Sequence, residues 1–368
     1  MGGERTRVER VAVTTPEYDA PEGGNSAWVL PEDGVVVDPG PPGDVPWEQL
    51  TEGLADAGLA LADVEHVVLT HWHVDHVGLA PRLADAADAT VAMHERDAPL
   101  VGDYARERER RVERDAATLA RWGVPDEHVA SVRGADSRTP FPDEFPVTAL
   151  AGGDRVGSLS VLATPGHTAG HAAFVVVESD ADGERAGNGD TGRAIVGDAA
   201  LRTVTPNVGG GDTRLDDPLA AYRGTLDALA ARADRALPGH GTAFDLDERV
   251  AEIRTHHRER AGNVRDALVA LDGDAADDAG DDRSSADGAT PWAVAEACFG
   301  EMAGYHVKFG AGEAFAHLRD LTALDIAECV GSDPLRYAPA NDGGDVGADD
   351  GDADAAARLD DAWYVDEN

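Results

Sequence analysis

The sequence predicts a layered αββα fold: two mixed β-sheets face to face, helices on both outer sides, then a small helical module. Two observations predict it. Up to residue 271, short β-branched runs alternate with helical periodicity in the order hairpin, strand, loop, helix, and that order recurs in two halves. Beyond residue 271 the composition breaks abruptly.

Residues 25–29 and 34–38 are apolar runs joined through Pro31-Glu32-Asp33-Gly34, a hairpin signal. Residues 64–70 form a β-branched strand that runs into a cluster of histidines. Residues 104–121 read as a helix so rich in Arg and Glu that its outer face must be solvated and paired at i,i+4. Residues 147–150 and 159–164 suggest a strand pair across a Gly-Gly-Asp turn. Residues 172–177 and 194–196 are buried strands, and 178–193 between them read as an exposed loop. Asp217-Pro218 is a helix start, with Leu219, Tyr222, Leu226 and Leu229 at helical spacing behind it. Residues 247–271 form a long helix packing through Val250, Ile253, Val264 and Leu268; His256 and His257, beside Arg254, Arg258 and Arg260, read as its solvated face.

These elements define a principal domain over 1–271. Residues 272–289 are almost entirely Asp, Ala, Gly and Ser, a composition that buries too little surface to fold and predicts a flexible linker. Thr290-Pro291 opens a helical module over 290–337 with Trp292, Phe299, Phe309, Phe315 and Leu318 as its core. Residues 338–368 read as an acidic, disordered tail.

Charge narrows the setting. Acidic residues outnumber basic ones 71 to 31, the formal net charge is −40, and Lys308 is the only lysine. Such a surface suits concentrated salt, where at about 1 M the Debye length falls to roughly 3 Å and self-repulsion is screened. The expectation is a halophilic protein of haloarchaeal type in the cytoplasm. Two cysteines, Cys298 and Cys329, exclude a disulfide framework, and no apolar run approaches the ~20 residues a bilayer span needs.

The chemistry concentrates in His71-Trp72-His73-Val74-Asp75-His76, directly after a strand. A turn leaving a strand end can aim four such side chains into one small volume, and imidazole and carboxylate are the ligands zinc takes. Trp72, between them, is expected to fill core. Downstream, Thr164-Pro165-Gly166-His167 turns sharply after a strand, Gly197-Asp198 ends another, and Gly239-His240-Gly241 sits in a tight turn. Each is weak alone; four in this order are a strong signal. His171, four residues after His167, either supports a neighbouring ligand or packs near the turn.

This ordered set resembles the metallo-β-lactamase superfamily, over roughly residues 8–271; Thr-Pro-Gly-His-Thr-Ala-Gly-His is similar to the form in glyoxalase II and related thioesterases. The resemblance implies a first metal on His71, His73 and His167, a second on Asp75, His76 and His240, and Asp198 bridging both. Asp38, in Val37-Asp38-Pro39-Gly40, would be a structural hydrogen-bonding residue. It implies two Zn2+ per chain, with iron or manganese as alternatives. Two cations about 3.5–4 Å apart lower the pKa of a shared water towards ~7, so that a zinc-bound hydroxide attacks, and Asp75 would receive the proton.

The long helix and the module after it are similar to the lactamase-β-2-like subgroup, which carries a winged-helix-like C-terminal domain. The expected substrate is a small molecule, a thioester or related ester or lactone. Two alternatives stay open: a single-strand RNA endonuclease, and a mononuclear-iron persulfide dioxygenase using only His71, His167 and Asp198. In the module Glu296, Glu301, Glu313, Asp320, Asp325 and Glu328 outnumber Lys308, Arg319 and Arg336, which argues against a nucleic-acid face and for a lid or homodimer contact.

Overall fold

The computed structural model describes residues 5–14, 22–178, 192–279, 288–340 and 348–363. It divides into two compact units, one of Met1–Glu109, Arg138–Pro206 and Gly224–Val250, the other of Arg110–Ser137, Asn207–Arg223 and Ala251–Asn368.

The first unit holds both large sheets. Strands β1 (Glu9–Val13), β2 (Asn25–Leu30), β3 (Val35–Val37), β4 (His66–Leu69), β5 (Thr90–His94) and β6 (Thr148–Leu150) form one sheet in that order. The β1-β2-β3 meander is antiparallel and β3 to β6 are parallel. Parallel neighbours need crossovers, and helices α1 (Asp44–Asp56), α2 (Val74–Val77), α3 (Ala80–Ala87) and α4 (Ala98–Gly102) lie in those connections. Alternation along the strands sorts the residues by face. Val36, Val67, Leu69, Val91 and Met93 pack with Leu50 and Leu54 of α1 and Leu83 of α3. Val35, Val37, Val68 and Ala92 turn the other way, into a core shared with the second sheet.

That second sheet contains β7 (Arg155–Val156), β8 (Leu159–Ala163), β9 (Ala172–Val176), β10 (Gly192–Gly197), β11 (Ala233–Pro238) and β12 (Phe244–Asp245), in the order β12-β11-β10-β9-β8-β7. Leu159, Val161, Phe174, Ile195 and Leu237 fill its half of the shared core. Its one parallel pair, β10 with β11, is bridged by helix α7 (Pro218–Ala230), whose Leu219, Tyr222, Leu226 and Leu229 are all buried as their spacing predicts.

One expected pairing is corrected. The strands at 147–150 and 159–164 are not partners: β6 pairs with β5, and β8 pairs with β9 and β7. The Gly-Gly-Asp turn between them, with Gly153 at φ +93°, passes the chain from one sheet to the other. The loop expected at 178–193 falls mostly outside the described residues.

The second unit is built on helices α5 (Tyr104–Arg121), α6 (Asp126–Ala135) and α8 (Leu246–Ala279) together with α9 (Pro291–Phe299), α10 (Tyr305–Ala323), the hairpin β13 (Ala327–Ser332) and β14 (Leu335–Pro339), and α11 (Ala348–Ala362). α9, α10 and the hairpin occupy the stretch expected to form a winged-helix-like module. Thr290 caps α9, its side chain accepting from the Ala293 N–H at 3.2 Å. Trp122, Val264, Leu268, Trp292, Phe315, Leu318 and Tyr337 share one core. The single lysine is buried there, with Lys308 Nζ 2.8 Å from Asp115 Oδ2.

Three readings along this stretch differ from the structure. Helix α8 continues to Ala279, into the stretch read as linker, because its Ala and Asp residues extend a helix already nucleated by tertiary packing. Part of the segment read as a disordered tail is helix α11, and Trp363, at its end, is buried. His257 is buried rather than solvated: it continues the stripe of Ile253, Ala261, Val264 and Leu268 at i,i+4 and i,i+3 steps.

Candidate metal centre

All seven residues expected as ligands lie in the first unit, and the fold brings all seven together. β4 ends in the middle of its sheet, between β3 and β5, so the chain leaving it emerges at the sheet's end with no strand beyond to cover it. His71 follows at once. His73 then opens the single turn α2: its carbonyl accepts from the His76 and Val77 N–H groups at 3.0 and 3.1 Å, which turns Asp75 and His76 back toward His71. The second sheet supplies the rest from the ends of β8, β10 and β11: His167, Asp198 and His240.

Two triads result, each with its ligand atoms within 4.8 Å of one another: His71, His73 and His167, and Asp75, His76 and His240. In the first, His73 Nδ1 lies 3.0 Å from both His71 Nε2 and His167 Nε2. In the second, Asp75 Oδ2 is 3.4 Å from His76 Nε2 and from His240 Nε2. Asp198 faces both. Its Oδ1 is 3.5 Å from His76 Nε2, and its Oδ2 is 3.5 Å from His240 Nε2 and 3.7 Å from His167 Nε2.

Charge divides the triads. Burial, then repulsion from neighbouring histidines, pushes His71 well below its ordinary value and His73 down to about 3. Burial alone would raise the carboxyls of Asp75 and Asp198, but His76 and His240 outweigh it and hold both well below the usual range. Burial would likewise lower His76 and His240; the facing carboxylates reverse it, carrying His76 well above its ordinary value and His240 to about 9. In the first triad, His71 and His73 thus offer neutral nitrogens that lie close together. The second holds protons where a cation would sit.

These donors fit a metal pair. Three imidazole nitrogens packed within hydrogen-bonding distance satisfy one another poorly, since a neutral ring offers one donor and one acceptor. His76 Nε2 and Asp198 Oδ1, which face each other at the centre, are buried without a hydrogen-bond partner among the described residues. Buried polar atoms left unmatched at a convergence of N and O donors are what a borderline cation satisfies.

Residues around the ligands were only partly legible. Asp38, held at φ +51°, accepts from the Thr70 N–H at 2.8 Å and from Thr70 Oγ1 at 2.6 Å, and its Oδ2 lies 3.0 Å from His76 Nδ1. These contacts occupy the carboxylate, in keeping with a hydrogen-bonding role, although Asp38, His71 and His76 also lie close enough to form a third group. His76 is thereby turned with Nε2 toward the centre. Asn25 and Asp97 carried no signal as site residues. Asn25 Nδ2 donates to Asp75 Oδ2 at 3.2 Å, and buried Asp97 accepts from Thr168 Oγ1 at 2.7 Å, beside His167. Trp72 packs against the first sheet's outer core.

Glycines make room for the ligands. A Cβ on Gly239 would come within 2.5 Å of Asp198 Oδ1 and 2.6 Å of His76 Cε1. Gly239→Ala is therefore expected to fold but to lower activity and metal affinity by about 10–100-fold, as displaced ligand supports do elsewhere. Titration of metal content against a chelator checks this; wild-type affinity would contradict it.

Residues 20–240 match the family described as the metallo-beta-lactamase superfamily. The chain belongs to that superfamily. A metallo-beta-lactamase family protein from Thermus thermophilus is similar in structure over 90% of this chain and 98% of its own, with a TM-score of 0.65 and 27% identity. A beta-lactamase domain protein from Burkholderia ambifaria shares the fold over 90% of this chain and 91% of its own, with a TM-score of 0.63 at 23% identity. The Bacillus subtilis (strain 168) protein YqjP, described as a probable metallo-hydrolase, is 26% identical over 239 residues, which is 63% of this chain and 72% of that protein. As a superfamily member with a His/Asp cluster fit for divalent metals, the chain is a metallo-hydrolase.

Proposed function

We propose that the chain hydrolyses a small thioester, or a related ester or lactone, with two zinc ions held by the two triads and Asp198 between them. The observation that carries the dinuclear reading is the Asp198 carboxylate, one oxygen toward His76 and the other toward His240 and His167. Support for acyl chemistry is the Thr-Pro-Gly-His-Thr-Ala-Gly-His run, similar to that of glyoxalase II-like thioesterases. His71, His73 and His167 would hold one ion, Asp75, His76 and His240 the other.

When bound, the ions supply Lewis acidity and a water pKa lowered to about 7. The chain's own residues do the rest. Asp198 stays anionic and fixes the spacing of the triads. Asp75 is the more exposed carboxylate, its side chain 23% accessible against 10% for Asp198, so it is the one placed to accept the proton when an intermediate collapses. Asn25 orients it by donating to Oδ2.

Against RNA cleavage stands helix α10, the element a winged helix would lay in a groove. Its residues Val307, Lys308, Ala311, Ala314, Phe315 and Leu318 are buried in the second unit. Among the described residues no helix is long and apolar enough to cross a membrane. The excess of 71 acidic over 31 basic residues supports a salt-loaded cytoplasm of haloarchaeal type.

Metal analysis of protein purified in high salt, followed by a thioester panel set against single-stranded RNA, tests the reading. About two zinc per chain and thioester turnover are expected. A single iron per chain, or RNA cleavage without acyl turnover, would overturn it.

A further inference from the structure

His171 ligates nothing in the proposed centre, yet it is fully buried against it. Its Nε2 lies 3.2 Å from the Asp198 backbone nitrogen and its Nδ1 lies 2.7 Å from Thr164 Oγ1. An amide N–H can only donate, so Nε2 accepts. A neutral imidazole has one donor and one acceptor, so Nδ1 carries the hydrogen and donates to the Thr164 hydroxyl. The ring also lies over His71, with centroids 5.1 Å apart and planes at 30°.

Asp198 needs such a partner because of where it sits. The ladder between β10 and β11 ends at Gly197 opposite Pro238, so no strand is left to receive the next N–H. Gly197 turns the chain there at φ +49°, and a Cβ on it would come within 2.8 Å of His171 Nε2 and 2.6 Å of Thr70 Oγ1. A glycine at that point is what lets the imidazole reach the backbone beyond it.

We propose that His171 is a positioning residue: it holds the Asp198 main chain so that the carboxylate reaches both triads. The inference rests on the metal centre proposed above. Thr164 fixes the ring, the ring fixes the Asp198 N–H, and the side chain of Asp198 then leaves the strand end in one direction.

The test is zinc affinity, measured by competition with a chromophoric chelator on the full chain in high salt, with the thermal midpoint of the chelated protein beside it. His171→Leu keeps the volume and removes the acceptor; it should weaken zinc binding by about 10–100-fold, the usual cost of losing a ligand's hydrogen-bonding support. His171→Gln places an acceptor near Nε2 and should recover most of that loss. His171→Asn, whose amide reaches only as far as Nδ1, should not, and it replaces the leucine variant if that one fails to fold. Zinc binding at wild-type strength in His171→Leu, or equal loss in the glutamine and asparagine variants, overturns the proposal. A wild-type chain that binds no zinc pair would instead sink the functional reading, so the two failures are distinct.

Discussion

Asp198→Asn is expected to abolish the binding of at least one metal ion and to cut kcat by about 10²–10⁴-fold. The residue is 7% exposed, and its carboxylate faces His76, His167 and His240 at 3.5–3.7 Å. Asparagine keeps the shape and removes the charge, leaving the proposed metal pair without its shared counter-charge. Taking one partner from a buried charge pair costs about 3–5 kcal/mol, and each 1.4 kcal/mol is tenfold. The fold should survive, because the N–H to His171 and the β10 ladder involve only backbone. Metal content and single-turnover hydrolysis of a thioester measure the effect. Two tightly held zinc ions and a kcat within a few-fold of wild type would remove Asp198 from the bridging role.

Much of this site is readable in the chain because strand ends and candidate ligands coincide. Short apolar runs mark β4, β8 and β10, each followed within a few residues by His71, His167 or Asp198. Residue type and position agree there, so the order of motifs stands in for geometry. The partners of those ligands were not readable in the same way. Asn25 and Asp97 are distant in sequence from the residues they touch, Asp75 and Thr168, and nothing local distinguishes them from polar residues at any strand or helix start. Pairing between sheets failed for a similar reason. The run at 147–150 and the one at 159–164 are neighbours in the chain, and a Gly-Gly-Asp turn favours a hairpin, but each strand instead pairs with one outside that local stretch, β5 or β9. Composition misled at the far end: an Asp-rich, Ala-rich stretch looks unable to fold until a few residues such as Leu359 and Trp363 reach a core made elsewhere.

The neighbours of His257 in the chain disguise its burial. Flanking arginines suggested a solvated face, while its spacing from Ile253 and Ala261 put it on the buried stripe of α8. Its consequence is the second large effect, a loss of stability in acid. His257 and His317 lie 5.5 Å apart between ring centroids, and Trp363 stacks on His257 at 5.1 Å and 21°. Neither ring nitrogen of either histidine has a hydrogen-bond partner among the described residues. The charges around them are mostly positive: Arg260 and His256 on α8 itself, and Arg223 from α7, which pairs with Asp320 of α10 and lies over the Trp363 ring. Glu313 of α10 is paired with Arg260 at 3.3 Å. Burial, then these cations and the neighbouring histidines, lowers His257 to about 3 and His317 well below its ordinary value.

The sign follows from which state takes up protons. Unfolded histidines protonate near 6.5, while the folded pair stays neutral until far lower pH. The contribution is therefore complete above pH ~6.5 and is lost as pH falls toward about 3, the value reached by His257. At pH 4 His257 alone should cost on the order of 3 kcal/mol relative to pH 7. Carboxylates titrate in the same range, so the difference from a variant isolates the effect. The double substitution His257→Leu, His317→Leu replaces two unmatched polar rings with apolar side chains of similar volume, a change close to neutral at pH 7. Urea unfolding in high salt should then show wild type and variant alike near neutrality and the variant increasingly more stable toward pH 4. Parallel curves for the two proteins across that range would mean that the histidines are not the groups whose protonation the folded chain resists.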